Sequence, residues 1–297
     1  MQFNVKLSMK KIAILLIINT LCVVPHFAQS GWTRAKGGFY GKLGYSMVSG
    51  SEYYNEAGKL SSQNNTFRQQ AVNLYGEYGI TKNITGIINF PLVKFNSYET
   101  TNTVSGVGDP QLEFKFAVLK KIPVVAFTIG AEFPIAKQPN FATEKKADPI
   151  SGLFNTINIP TGDSDFNYWG MLAVSSGLGN VPGWISFSGK YNVRTKGFSD
   201  QIIAGAELGY KWRPTFWTNI RLSSLWLGAN KNSVQSINLT NGQGTTYTTL
   251  GVGGAYQVIE HWHITLDYQN YIDFLGLAPL ANIYKAPFLQ IGISAEF

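Results

Sequence analysis

His261 and His263, with Asp267 close behind, are the residues of this chain from which a base and its orienting acid could be built. Their spacing argues against it. In an extended segment His263 and Asp267 share a face by parity but stand about 13 Å apart, whereas such a pair must meet at about 3 Å. Two histidines flanking Trp262 can point the same way, but a zinc site needs three or four ligands and no third stands nearby in sequence. Gly106-Val107-Gly108 and Gly251 to Gly254 lack the helix start and the lysine of a phosphate cradle. Neither catalysis nor a cofactor is expected.

The charges that do recur regularly do so at every second residue. Gln111, Glu113 and Lys115 alternate with Leu112, Phe114, Phe116 and Val118; Thr128 and Glu132 with Val125, Phe127, Ile129 and Phe133; Glu207 and Lys211 with Ile202, Ala204, Ala206, Leu208, Tyr210 and Trp212. Lys190 continues a polar series with Ser186, Ser188 and Asn192, and Arg221, Asp267 and Gln269 join the same set. Side chains of a strand alternate between its faces, so each segment has one face without charge and one carrying acids and bases. That is the pattern of strands with lipid outside and a polar lumen inside. The lumen candidates are therefore Glu113, Lys115, Glu132, Lys190, Glu207, Lys211, Arg221 and Asp267. They can line a water-filled channel or pair across the interior and fill it. Eight strands leave room only for side chains and sixteen leave an open pore, so about twelve leave both readings open.

Period-two alternation marks twelve strands: Gly37 to Gly50, Phe67 to Ile80, Ile84 to Phe95, Gly108 to Leu119, Val124 to Ile135, Phe166 to Leu178, Trp184 to Val193, Gln201 to Trp212, Phe216 to Gly228, Thr246 to Val258, Trp262 to Phe274 and Pro287 to Phe297. Tight connections (Thr81 to Asn83, Lys120 to Pro123, Gly179 to Gly183, Arg213 to Thr215, Ile259 to His261) alternate with mostly long, polar ones (Ser51 to Thr66, Asn96 to Val107, Ala136 to Asp165, Arg194 to Asp200, Ala229 to Thr245, Leu275 to Ala286). Short turns on one rim and long loops on the other fit a barrel inserted from the periplasm. Trp184, Trp212, Trp217 and Trp262 stand beside tight turns, and Trp169, Phe95, Phe133, Trp226 and Phe274 near the other rim, as two aromatic girdles would.

Lys6, Lys10 and Lys11 precede an apolar run from Ile12 to Val24 and the small residues Ala28-Gln29-Ser30, the form of a secretory signal peptide over residues 1–30. The run is shorter than the ~20 residues of a spanning helix. Cys22, the only cysteine, leaves with it, so neither disulfides nor cysteine metal sites are expected in residues 31–297. The net charge of +7 falls by the three leader lysines to +4, and the remaining cations are scattered among acids rather than clustered, which argues against a nucleic-acid partner. With 44% hydrophobic and 14% aromatic residues and a mean hydropathy of −0.02, the chain hides its apolar surface by alternation. Its final segment places Leu289, Ile291, Ile293, Ala295 and Phe297 on one face. This ending resembles the C-terminal signature by which bacterial outer-membrane barrels are recognised by their assembly machinery.

Ser105-Gly106-Val107-Gly108-Asp109 and Ile159-Pro160-Thr161-Gly162-Asp163 resemble the Gly-x-Gly-Asp and Pro-Thr-Gly segments of the outer-membrane channel family linked to the meta-pathway of phenol degradation, itself similar to hydrophobic-compound channels. The resemblance implies passage of small aromatic or hydrophobic molecules. Fatty-acid-type channels carry an N-terminal plug, but only Gly31 to Lys36 precede the first strand here, so gating is expected from a loop such as Ala136 to Asp165. Asp109 and Asp163, each beside a glycine, are read as turn chemistry. The expected protein is thus an all-β, transmembrane, antiparallel up-and-down barrel of about twelve strands (ten to fourteen) in the bacterial outer membrane, its partners outer-membrane lipid, the assembly machinery through Phe297 and a small-molecule solute. The leading function is a passive channel. The alternative is a closed structural or surface-binding barrel whose extracellular loops hold a ligand. N-terminal sequencing of the exported protein should start at Gly31, or two residues earlier if cleavage follows Ala28; a retained Met1 would contradict the leader.

Overall fold

The computed structural model describes residues 30–229 and 244–297, with backbone alone at position 64. The expected leader over residues 1–29 and most of the connection from Ala229 to Thr245 lie outside the described residues. Every described element is a strand: β1 (Phe39–Tyr54), β2 (Leu60–Thr81), β3 (Ile84–Tyr98), β4 (Val104–Gly106), β5 (Gln111–Leu119), β6 (Val124–Glu132), β7 (Phe141–Thr143), β8 (Thr156–Asn158), β9 (Asn167–Leu178), β10 (Val181–Arg194), β11 (Gln201–Arg213), β12 (Phe216–Leu227), β13 (Tyr247–Ile259), β14 (Trp262–Tyr271), β15 (Ile283–Tyr284) and β16 (Phe288–Glu296).

Twelve of them, all but the short β4, β7, β8 and β15, run antiparallel in chain order, and β1 pairs both with β2 and with β16. That double pairing closes the sheet into an up-and-down barrel. A closed ring leaves no strand edge, so every main-chain polar group of the wall finds a partner within the sheet, the condition for a sheet to stand in lipid. Its faces segregate as the alternation requires. Phe114, Phe127 and Leu208 present 47%, 41% and 49% of their surfaces outward, whereas Lys115 is 0% and Glu113 8% exposed on the opposite face. The fold is therefore a twelve-stranded transmembrane β-barrel.

The tight turns share the rim that holds both described chain ends, and the long connections share the other. On the loop rim the alternation missed structure. Ser51 to Thr66, expected to be a long loop, is mostly a continuation of β1 and β2: after a bulge at Gly50 the two strands pair again, from Glu52↔Ser62 to Tyr54↔Leu60. The Asn55 side chain closes the turn by accepting from the Ala57 and Lys59 amides. Above the membrane a ribbon has water on both faces, so no apolar period announces it. Similarly, β4 lies within Asn96 to Val107, and the hairpin β7–β8 within Ala136 to Asp165.

These connections bend over the barrel mouth rather than away from it. Phe67, Val104, Ala142, Ile159, Tyr284 and Ala286 form a buried cluster under the loops. Asn96 of the wall donates to the Pro160 carbonyl (2.8 Å), and the Tyr98 and Tyr284 hydroxyls lie 2.8 Å apart. A charge placed on the lipid face tests the architecture: Leu208→Arg, near the middle of β11, should cost about 2–4 kcal/mol in denaturant unfolding from lipid vesicles, while Ser188→Arg on the inner face should cost far less.

Candidate channel lumen

Two cavities occupy the barrel interior, one at each end. The turn-side cavity, about 490 Å³, is lined by Glu207, Arg221 and Asp267 together with Tyr40, Trp184 and Trp217. The loop-side cavity, about 460 Å³, is lined by Glu132 and Lys190 with Trp169, Arg194, Tyr247 and Tyr271. Of the eight lumen candidates, five therefore face one of the cavities. Glu113 and Lys115 are buried in the wall and line neither. Lys211, whose strand carries it out to the turn rim, is exposed and also outside both.

The charges are arranged as pairs along the walls. Asp267 on β14 bridges Lys42 on β1 (2.5 Å) and Arg221 on β12 (2.9 Å), all three side chains being largely buried. Between β12 and β14 runs β13, and it carries Gly253 where the bridge crosses; a Cβ there would meet Asn219 Oδ1 at 2.6 Å and Arg221 Nη2 at 2.7 Å. Glu207 accepts from Trp184 Nε1 (2.6 Å) and Asn219 Nδ2 (3.2 Å). Glu132 accepts from Gln111 Nε2 (2.5 Å) and Asn167 Nδ2 (2.6 Å). Such pairing answers the high cost of an isolated charge away from bulk water, and because the pairs follow the wall they leave the two cavities open. Asp267 is fully engaged by two cations, so it cannot orient His263; His261 Nδ1 lies 2.7 Å from the Glu296 carbonyl in the last tight turn.

A short segment crosses the turn-side interior. Gly31 to Lys36 is brief for a plug, yet the Gly31 amide donates to Ser175 Oγ (2.8 Å) on β9, Lys115 Nζ to the Trp32 carbonyl (3.4 Å), and the Arg34 amide to Thr85 Oγ1 (2.8 Å) on β3. The Arg34 guanidinium is held by Glu77 (2.7 Å) and by Glu296. Extended chain advances about 3.3 Å per residue, so a handful of residues suffices to bridge a narrow barrel. Gly79 admits the strap, since any Cβ there would overlap the Ala35 carbonyl. Gating is expected from the loops, and a strap also stands in the lumen. Arg34, Trp32, Lys42 and Glu77 were missed as lumen residues, although Lys42 and Glu77 lie on inward positions of β1 and β2 and parity would have found them.

Trp184, Trp217 and Trp169 also require correction. Trp212 and Trp262 are exposed outward as girdle residues should be, but Trp184 and Trp217 face the turn-side cavity, edge to face at 5.9 Å, and Trp169 faces the loop-side one. Each of two indoles lies over a glycine directly paired with it, Trp184 over Gly209 and Trp169 over Gly130. A ring covering a glycine across a strand pair replaces the packing the glycine lacks.

The two glycine-rich stretches meet at the loop rim. Asp109 accepts from the Ala136 amide (2.8 Å), Thr161 Oγ1 donates to the Val107 carbonyl (2.6 Å), and a Cβ on Gly106 would meet Thr161 Oγ1 at 2.9 Å. Asp163 pairs with Arg194 (2.6 Å) at the loop-side cavity. Burial raises the Asp109 carboxyl above its ordinary range, opposed by the Ala136 hydrogen bond and assisted by the nearby Asp163. These aspartates staple loops to the wall as well as making turns.

No family model and no curated protein matches the chain. Among solved structures it is similar to an outer membrane channel from Pseudomonas putida F1, at 15% identity over 92% of this chain and 100% of that one, with a TM-score of 0.61. It is also similar to the translocator domain of the autotransporter NalP from Neisseria meningitidis, at 10% identity over 89% and 90% of the chains and a TM-score of 0.54. At such identities the likeness is one of fold, over chains of comparable extent.

Removal of the bridging carboxylate isolates two inward cations. Asp267→Ala should therefore lower unfolding stability by about 3 kcal/mol, measured by denaturant titration of the refolded barrel, and Asp267→Glu should recover part of the loss.

Proposed function

We propose that the chain is a passive channel of the bacterial outer membrane for small molecules. One observation carries this reading: a single closed lumen holds a cavity toward each mouth, and a strap anchored by hydrogen bonds and ion pairs crosses the turn-side interior. A barrel built only as a surface platform would gain from filling its interior with side chains, as small barrels do. The two glycine-rich stretches, by their resemblance to the channel family linked to phenol degradation, support a solute that is aromatic or otherwise hydrophobic. The outward apolar belt and its Trp212 and Trp262 support a lipid surround.

Phe297 supports assembly by the outer-membrane insertion machinery. It is 60% exposed, its backbone pairs with Phe39 in both directions at 2.9 Å, and its ring stacks on His261 at 5.0 Å. The terminal strand thus ends as an ordered, accessible aromatic on the turn rim. Removal of residues 1–30 as a leader is part of the same reading.

Purified protein in planar lipid bilayers should conduct potassium chloride in discrete steps. Arg34→Ala, which releases the strap from Glu77 and Glu296, should raise the unitary conductance or the time spent open. A folded barrel that conducts under no condition, with or without Arg34, would sink the proposal.

A further inference from the structure

Lys190 stands on β10, half-way round the twelve-strand ring from β1, and its ammonium lies 4.1 Å from the centre of the Trp169 ring. Among the described residues no oxygen accepts a hydrogen bond from it. The other cation of the loop-side cavity, Arg194, is paired with Asp163 at 2.6 Å. Two carboxylates act on Lys190 through space: Glu113, buried outside the lining, and Glu132, which lines the cavity and is already engaged by Gln111 and Asn167. Across the cavity, on β2, β14, β15 and β16, the lining is Phe67, Tyr271, Tyr284 and Phe288 with Gln69 and Ile283. Phe67 and Tyr284 stack there at 4.9 Å with an interplanar angle of 12°.

A cavity of about 460 Å³ with an aromatic wall facing an ammonium that lacks an acceptor is a two-ended site. An ammonium carries three donors and is costly to hold away from water without acceptors, so a solute that brings an oxygen anion to Lys190 is favoured over one that brings only hydrocarbon. The aromatic wall takes a ring or short apolar body, and the volume suits a small molecule. With a single ammonium lacking a hydrogen-bond acceptor, and with Glu113, Glu132 and Asp163 nearby, a monoanion fits better than a polyanion. We infer that the loop-side cavity is a binding site for small apolar monocarboxylates, the carboxylate on Lys190 and the apolar body on the wall of Phe67, Tyr271, Tyr284 and Phe288. This rests on the channel reading for access from water, but the site itself does not require conduction.

Benzoate and the uncharged benzyl alcohol are the probes. In bilayers, benzoate should reduce the potassium chloride current of the wild type at lower concentration than benzyl alcohol does. With block scaled to each variant's own current, Lys190→Met should raise the half-blocking benzoate concentration about tenfold, leave block by benzyl alcohol where it was, and be rescued by Lys190→Arg. Titration calorimetry of benzoate into the detergent-solubilised barrel, its folding checked by heat-modifiable gel mobility, gives the same comparison without current. Benzoate binding without conductance would end the channel reading and keep this one. Equal affinity for the two probes in the wild type, equal benzoate affinity in the wild type and Lys190→Met, or no benzoate binding by a folded barrel would overturn the site.

Discussion

Everything in this molecule follows from the pairing of β1 with both β2 and β16. A β-sheet in hydrocarbon cannot leave a row of amides and carbonyls unpaired, and the only remedy for a sheet is to close on itself. Closure then separates two solvents across one layer of backbone. Because side chains alternate, each strand must be apolar at one parity and polar at the other, and any charge has only the lumen to occupy. The inward positions of Lys42, Glu113, Lys115, Glu207, Arg221 and Asp267 are consequences of that topology.

Confinement gives the lumen its second property. Charges crowded inside a barrel must be matched, and the bridge from Lys42 through Asp267 to Arg221 reaches across intervening strands to do so. It can cross because Gly253 keeps the wall low at that point. The indoles of Trp184 and Trp169 use glycines in the same way, lying flat over Gly209 and Gly130 instead of projecting into the space. Glycine inside this barrel is therefore less a turn residue than a means of holding bulky or charged groups against the wall, which keeps a cavity at each end.

The strap of residues 31–36 shows how little chain is needed to divide such an interior. Its anchors come from well-separated strands of the ring, Ser175 on β9 and Thr85 and Glu77 on β3 and β2. The anchors are hydrogen bonds and the ion pairs of Arg34, whose guanidinium also lies over the Tyr40 ring at 5.1 Å. The loop-rim cluster around Phe67 and Ile159, by contrast, ties the long connections down by burial.

The amino-acid sequence by itself determined the barrel: twelve alternating segments, short turns against long loops and a greasy C-terminal strand match the observed strands closely, because a two-solvent wall writes its period into every residue. It also marked five residues that face a cavity. It did not determine the strap, whose residues carry no period, or the ribbon beyond Gly50, where both faces meet water. Nor did residue type place Trp184 and Trp217, since an indole beside a turn suits a lipid girdle and a glycine-backed lumen equally; only the strand parity they share with Ser186 and Arg221, and the glycine lying across the pair from Trp184, decide it. Which cations hydrogen-bond a carboxylate and which, like Lys190, meet a ring with carboxylates only nearby depends on strands far apart in sequence. Closure of the ring brings those strands face to face, and that juxtaposition exists in the tertiary structure alone.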